Sequence, residues 1–336
     1  MGRYLSAFLG LFLAGISTHA SAEGTPLRIG VGGQATIYHL PLAVAVHRGF
    51  FQEQGLNVEV VDFPGGGKAM QALIAGAVDV VSGAYEHTLR ARARGMATQA
   101  FVLASTSPQI AMAVSSTNLP GYRDLTDLRG KVIGISAPGS STQMVAGLML
   151  KQAGVHLDEV SFVGVGTGAA ALDALRSGKV DALANSEPLM SLLQRNDNVR
   201  IVADARTALG TAQLFDGPVP ANVLLARNRY IVDNPRTIQS IANAMVNALI
   251  WMQQASPVEL SEVLPQAWQM NDPDLYQQVL GSAKTVLNSD GRFSAQGVQN
   301  LLRALYSFDS TLDALAIDSD QTWTNEFVDN AGYDIP

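Results

Sequence analysis

Glycines and hydroxyls gather in this chain wherever a strand pattern gives way to a helix pattern. Gly65-Gly66-Gly67-Lys68 stands just before a helical stretch. Free N–H groups and the dipole of a helix start make such a turn an anion site, and Lys68 adds a full charge. It is not a nucleotide P-loop, because Asp62 stands where the first glycine of that motif must be. Gly139-Ser140-Ser141-Thr142 opens another helix. Its hydroxyls and N–H groups suit a carboxylate or sulfonate, and an ordinary N-cap accounts for only one of the three hydroxyls. At the end of the first strand, in Gly32-Gly33-Gln34-Ala35-Thr36-Ile37-Tyr38-His39, the residues Gln34, Thr36 and His39 can donate to a ligand. Further on, Ala84 and Tyr85 follow a third strand, and Tyr85 offers a ring face and a hydroxyl. Asn185 and Glu187 follow a later strand, where Glu187 suits an amine or a hydroxyl. Phe215 is a candidate for the wall of the same site.

Other chemistries find little support. His39, His47, His87 and His156 form no His-x-x-x-His pair, and the chain has no cysteine, so no metal or thiol site is expected. Neither a Gly-x-Ser-x-Gly elbow nor a Ser-x-x-Lys pair occurs. No catalysis and no cofactor are expected. One alternative stays open, a dinucleotide-binding oxidoreductase using Gly164-x-Gly166-x-x-Ala169, with Glu187 near the spacing of the ribose-binding acid.

The elements that must position these residues alternate in type. Leu27–Val31, Asn57–Phe63 and Val78–Val81 read as strands, with helices predicted over Pro41–Gln54 and Lys68–Ala75. The order recurs with strands over Lys131–Ile135, Ser161–Val165 and Val180–Ala184, and helices over Thr142–Ala153 and Ala169–Arg176. Leu73 to Asp79 superposes on Leu175 to Asp181, which sets Gly66 on Gly168 and Tyr85 on Glu187. Two similar α/β lobes follow, each with a parallel sheet. Ligands bind beyond the carboxyl ends of such strands, so two facing lobes make a cleft. The chain is expected to cross between lobes near Ala111–Ser116 and to return near Val219–Leu225. Beyond Pro235 the pattern is helical, over Thr237–Gln254, Pro257–Met270, Asp274–Val286 and Ser294–Phe308, and these helices are expected on the first lobe.

Composition bounds the partners. With 47% hydrophobic and 15% charged residues, the 336-residue chain is globular rather than disordered. A net charge of -7 disfavours nucleic acid and anionic membrane as partners. Arg3, the apolar run Leu5–Ile16 and Ala20-Ser21-Ala22 form a signal peptide with cleavage before Glu23. Without a cysteine for a lipid anchor, the mature chain is expected free in a periplasm.

Taken together, Pro41-Leu42-Ala43, Arg48-Gly49-Phe50-Phe51, Gly65 to Leu73, Gly76-x-Val78-Asp79, Pro138-Gly139-Ser140-Ser141, Gly178 to Ala182 and Glu187-Pro188 resemble the periplasmic binding proteins for alkanesulfonates, taurine, nitrate and thiamine-pyrimidine precursors. Ser289-Asp290-Gly291-Arg292 and Asp329-Asn330 are similar too. The resemblance implies an α/β clamshell of the type II binding-protein kind with two hinge crossings. It implies a small-molecule ligand, a membrane permease of an ABC importer as partner, and no turnover. A monomer is expected. The pyrimidine synthases related to this family use a cysteine-rich segment that is absent here. The expected layout is a signal peptide over 1–22, a first lobe over 23–113, a second lobe over 114–220, and a return to the first lobe with the C-terminal helices over 221–336.

Overall fold

In the computed structural model, which describes residues 26–313 and 315–332, ten strands form two five-stranded sheets. The expected signal peptide lies outside the described residues. The strands are β1 Leu27–Gly32, β2 Val58–Phe63, β3 Val80–Ala84, β4 Thr98–Leu103, β5 Ile110–Ser115, β6 Val132–Ile135, β7 Ser161–Gly164, β8 Ala182–Ser186, β9 Val199–Ala205 and β10 Asn222–Arg227. Helices of eight residues or more are α1 Leu40–His47, α2 Gly66–Ala75, α3 Glu86–Ala93, α4 Ser141–Gln152, α5 Ala169–Arg176, α6 Leu189–Asn196, α7 Ala208–Phe215, α8 Pro235–Gln254, α9 Pro273–Lys284 and α10 Ala295–Phe308.

The first sheet runs β2-β1-β3-β10-β4 and the second β7-β6-β8-β5-β9. The two orders are the same pattern, as the internal repeat requires. β3 is buried throughout and reads as an uninterrupted run of small and apolar residues. Edge strand β2 is only half-buried, with Glu59 and Asp62 exposed. The repeat extends to single hydrogen bonds. Asp79 accepts the Arg28 N–H at 2.9 Å in one lobe, and Asp181 accepts the Val132 N–H at 2.9 Å in the other. Gly76 and Gly178 end equivalent helices in the left-handed region, at φ 79° and 73°, which costs glycine nothing.

The sheets are mixed, not all parallel. β5 pairs antiparallel with β8, and β10 pairs antiparallel with β3. The cause is topological. Both crossings leave and enter at the carboxyl ends of the neighbouring strands, so a strand arriving from the other lobe must run backwards through its new sheet. The first crossing, between Leu103 and Ile110, comes earlier than expected, and the 113/114 boundary falls inside β5. Alternation alone could not tell a hinge from a buried strand. The second crossing lies between Phe215 and Asn222. The two are bonded together: Ala221 N–H donates to the Ser105 carbonyl at 3.0 Å and Val219 N–H to that of Thr106 at 3.3 Å.

The helix predicted over Pro41–Gln54 is two pieces, α1 and a turn at Phe50–Glu53, separated by Gly49 at φ 81°. That predicted over Pro257–Met270 stops at Val263, because Pro265 forces Leu264 into an extended conformation at ψ 140°. α8 and α9 pack on the first lobe as expected, in a core with Leu40, Phe51 and Phe101. α10 does not belong to that lobe alone. Its Val298, Leu301 and Leu305 share one core with Leu89 of the first lobe and Met144 and Leu148 of the second. Gly147 on α4 admits the Phe308 ring so closely that a Cβ there would stand 2.5 Å from it. On the other side, the Arg90 guanidinium of α3 lies 5.3 Å from the centre of the same ring.

Candidate functional site

The carboxyl ends of β1, β3, β6, β7 and β8 converge on one cleft between the lobes. On the first-lobe side Thr36 donates its hydroxyl to the Gly33 carbonyl at 2.9 Å, which closes the turn after β1. His39 is 3% exposed, and its Nδ1 lies 3.2 Å from Ser82 Oγ and 3.4 Å from Asn222 Nδ2. Burial pulls its pKa from 6.5 to about 4, against a weaker opposing bond with the Gly32 backbone, so the ring is neutral at pH 7. Asn222 is the post of this floor. Its Nδ2 donates to the Tyr38 carbonyl at 2.8 Å and its Oδ1 accepts the Ser82 hydroxyl at 3.3 Å. Tyr38 also lines the cleft, and burial, aided by the Glu86 carboxylate, holds its phenol well above the usual range.

Across the gap, Ser136, Ser140, Ser141, Thr142, Thr167 and Ser186 present hydroxyl-bearing side chains. Thr142 Oγ accepts the Ser136 N–H at 3.0 Å and lies 2.9 Å from the Ser136 hydroxyl, so its position is fixed. Ser141 makes no hydrogen bond through its side chain within the described residues, and opens α4 beside the cleft. The lobes touch. Gly67 N–H donates to Ser140 Oγ at 3.1 Å, and Ile37 N–H to the Glu187 carbonyl at 3.0 Å. The remaining space is about 50 Å³. No Asp, Glu, Lys or Arg lines it among the described residues. The site is therefore a pocket of neutral donors flanked by two helix starts, α2 and α4, whose partial positive charges favour an anion.

Thr36, His39, Gly66, Ala84, Ser140, Ser141 and Thr142 of the sequence candidates line this space. Gly65 faces Ala137 and Ser140 of the other lobe, and Gly67 gives its N–H to Ser140. The others lie elsewhere, each for a local reason. Lys68 is exposed on the outer side of α2 and donates to Gln71 at 3.2 Å. Gln34 is pulled to the sheet edge, where its N–H donates to Asp62 at 2.8 Å. Tyr85 is fully buried in the first lobe, its hydroxyl paired with Thr322 and its ring 5.8 Å from that of Phe293. Asn185 is a loop tie, donating to the Gly166 carbonyl at 3.0 Å. Glu187 accepts the Ser191 N–H and hydroxyl at 3.0 and 2.9 Å and pairs with Arg206, which also binds Asp204. Phe215 is buried in the core to which α10 contributes Leu301.

Sequence reasoning missed Tyr38, Ser136, Thr167 and Ser186. The repeat holds the signal for two of them, since the same alignment sets Thr167 on Gly65 and Ser186 on Ala84. The loop of the dinucleotide alternative follows edge strand β7, and its glycines serve local backbone geometry, Gly166 sitting at φ 78°. A Cβ on Gly164 would stand 3.2 Å from Pro138, and Gly166 N–H donates to the Ser136 carbonyl at 3.0 Å. Among the described residues there is no cluster able to hold a metal ion and no helix long and apolar enough to cross a membrane.

Residues 36–259, about two thirds of the chain, match a family model described as NMT1/THI5 like. A solved structure of a Bordetella bronchiseptica RB50 protein is 42% identical, covers 92% of this chain and 97% of its own, and superposes with a TM-score of 0.88. The alkanesulfonate-binding protein SsuA of Xanthomonas axonopodis pv. citri, solved with bound MOPS, shares the fold at 22% identity and a TM-score of 0.69, over 90% of this chain and 99% of that one. Among curated relatives, a candidate binding protein of Bacillus subtilis (strain 168), YtlA, is 25% identical over 249 residues, 72% of this chain and 71% of its own. A shorter stretch of 102 residues, 30% of this chain and 29% of the other, is 35% identical to a 4-amino-5-hydroxymethyl-2-methylpyrimidine phosphate synthase of Schizosaccharomyces pombe.

Proposed function

The chain belongs to the NMT1/THI5-like family, and from that premise we propose that it is the periplasmic solute-binding component of an ABC-type importer. It captures a small organic anion, a sulfonate or carboxylate, between its two lobes and hands it to the permease. It acts as a monomer, without cofactor and without turnover, after removal of a signal peptide ahead of Glu23.

One observation carries this reading. The starts of α2 and α4 oppose each other across a cleft lined with hydroxyls and N–H groups and, among the described residues, free of carboxylates. Neutral donors hold an oxyanion without the desolvation cost of a buried counter-ion. Glu187, the expected partner for an amine, is committed to Arg206 and Ser191. The reading therefore narrows from a zwitterion to an anion with a neutral or aromatic remainder, for which Tyr38 offers the ring.

An enzyme reading has the synthase relative in its favour. Against it, the one hydroxyl paired with the cleft's imidazole, Ser82 at 3.2 Å from His39 Nδ1, is 1% exposed, gives its proton to Asn222 Oδ1 and does not line the cleft. The test is a thermal-shift screen of the mature chain against sulfonates, carboxylates and pyrimidines. A ligand at 100 times its dissociation constant stabilises by about 2.7 kcal/mol. Scattering should then report a smaller radius of gyration with ligand than without. Recovery of a chemically altered compound after incubation would overturn the reading.

A further inference from the structure

On the outer side of the Gly66 turn, beside the cleft, lies a second recess of about 120 Å³. Gly67, His87, Arg90 and Arg94 line it from the first lobe, and Pro138 and Gly139 from the second. His87 is only 4% exposed and its Nε2 has no partner. That nitrogen stands 3.0 Å from the place a Cβ on Gly66 would occupy, so the ring backs onto the helix start. The Nε–H of Arg90 is also buried without a partner. Buried donors of this kind are normally satisfied, and those left open mark a place where something binds. Among the described residues, the two guanidinium groups are the charges on the wall and no carboxylate lines it. Glu86 and Asp309 do act on Arg90 from outside the recess. Arg94 is exposed and has no ion-pair partner among the described residues.

We propose that this recess binds a small oxyanion such as sulfate or phosphate, and that the bound ion fastens the two lobes in their closed arrangement. The Arg94 guanidinium, the Arg90 Nε–H and the His87 ring supply the donors from one lobe. Pro138 and Gly139 belong to the other lobe and so wall the ion in only when that lobe has closed; Gly139 gives its own N–H to Gln143 at 2.8 Å and contributes shape rather than a bond. The site is distinct from the cleft, although its link to closure rests on the two-lobed reading above. An ion that prefers the closed form must tighten the cleft's hold on its ligand by the same factor that the ligand tightens the ion's.

The test is thermal unfolding of the mature chain in sodium sulfate, with sodium chloride at equal ionic strength as reference. Sulfate should raise the melting temperature saturably and chloride should not. Arg94→Gln, at an exposed position, should weaken the apparent sulfate affinity at least about tenfold, the lower end of the range for one lost charge-assisted bond. Ser141→Ala, which alters the cleft, should leave it unchanged. Scattering should show sulfate reducing the radius of gyration of the wild type and not of Arg94→Gln. Equal responses to sulfate and chloride, or an equal sulfate response in wild type and Arg94→Gln, overturn the site. A response lost in Ser141→Ala but kept in Arg94→Gln puts the ion in the cleft, which sinks this inference and leaves the proposed function standing. Sulfate binding with an unchanged radius refutes the fastening role.

Discussion

Replacing Gly65 by alanine should disable closure while sparing the fold. Gly65 sits at φ 167°, extended backbone that any residue adopts, so the substitution adds no strain of its own. The new methyl would stand 2.9 Å from Ala137 Cβ, 3.1 Å from Ser140 Oγ and 3.4 Å from Ser136 Oγ. Carbon atoms rest at about 3.5–4.0 Å, so the gap must widen by roughly 0.6–1 Å at that point. All three neighbours belong to the other lobe, so the clash exists only when the lobes meet. Overpacking of this degree costs about 1–3 kcal/mol, equivalent to about 5- to 150-fold in affinity. Calorimetric titration of a ligand from the thermal-shift screen should register that loss. Meanwhile the ligand-free melting temperature should stay within about 2 °C of wild type. Unchanged affinity would refute the argument that closure brings these turns together. A ligand-free variant destabilised as much as its binding is weakened would show that the contact belongs to the resting fold instead.

The other substitutions separate cleft from surroundings. Ser141→Ala removes a cleft hydroxyl with no protein partner and should weaken binding about 10- to 150-fold, whereas exposed Lys68→Ala should change it less than about twofold, both read by the same titration. Glu187→Gln takes one carboxylate from Arg206 and should lower stability by about 1–3 kcal/mol in urea unfolding while leaving ligand affinity intact. The lowered pKa of His39 means that between pH 6.5 and about 4 the unfolded chain takes up a proton that the folded chain refuses. Stability should fall as pH drops through that window, by up to about 3 kcal/mol, and urea titrations of His39→Gln at pH 7 and 4.5 should lack this share of the slope.

The two lobes were legible because their elements are punctuated by strong signals. Gly76 and Gly178 stop helices, Asp79 and Asp181 clamp the strand ahead, and apolar runs mark β1, β3, β6 and β8. β5 and β10 were read as crossings because a buried antiparallel strand and a hinge leave the same apolar trace. Helix starts in the cleft were legible from glycine and serine, whose backbone role is local. Tyr85, Glu187 and Lys68 were misplaced because a side chain's direction depends on its partners, near or remote. Thr322, Arg206 and Gln71 decide where they point, and Thr322 lies 237 residues away. The neutral character of the cleft likewise follows from what the fold turns outward.

α10 lies near the end of the chain, yet it supplies side chains to a core shared by both lobes. Both sheets are complete in the sequence at Arg227, so a chain that ends before residue 295 has every strand and lacks the helix whose Phe308 meets Arg90 of α3 and Gly147 of α4. Such a shortened chain keeps both sheets and loses the core that joins the two lobes. The last forty or so residues are thus less a cap on one lobe than the part that sets how firmly the two hold together.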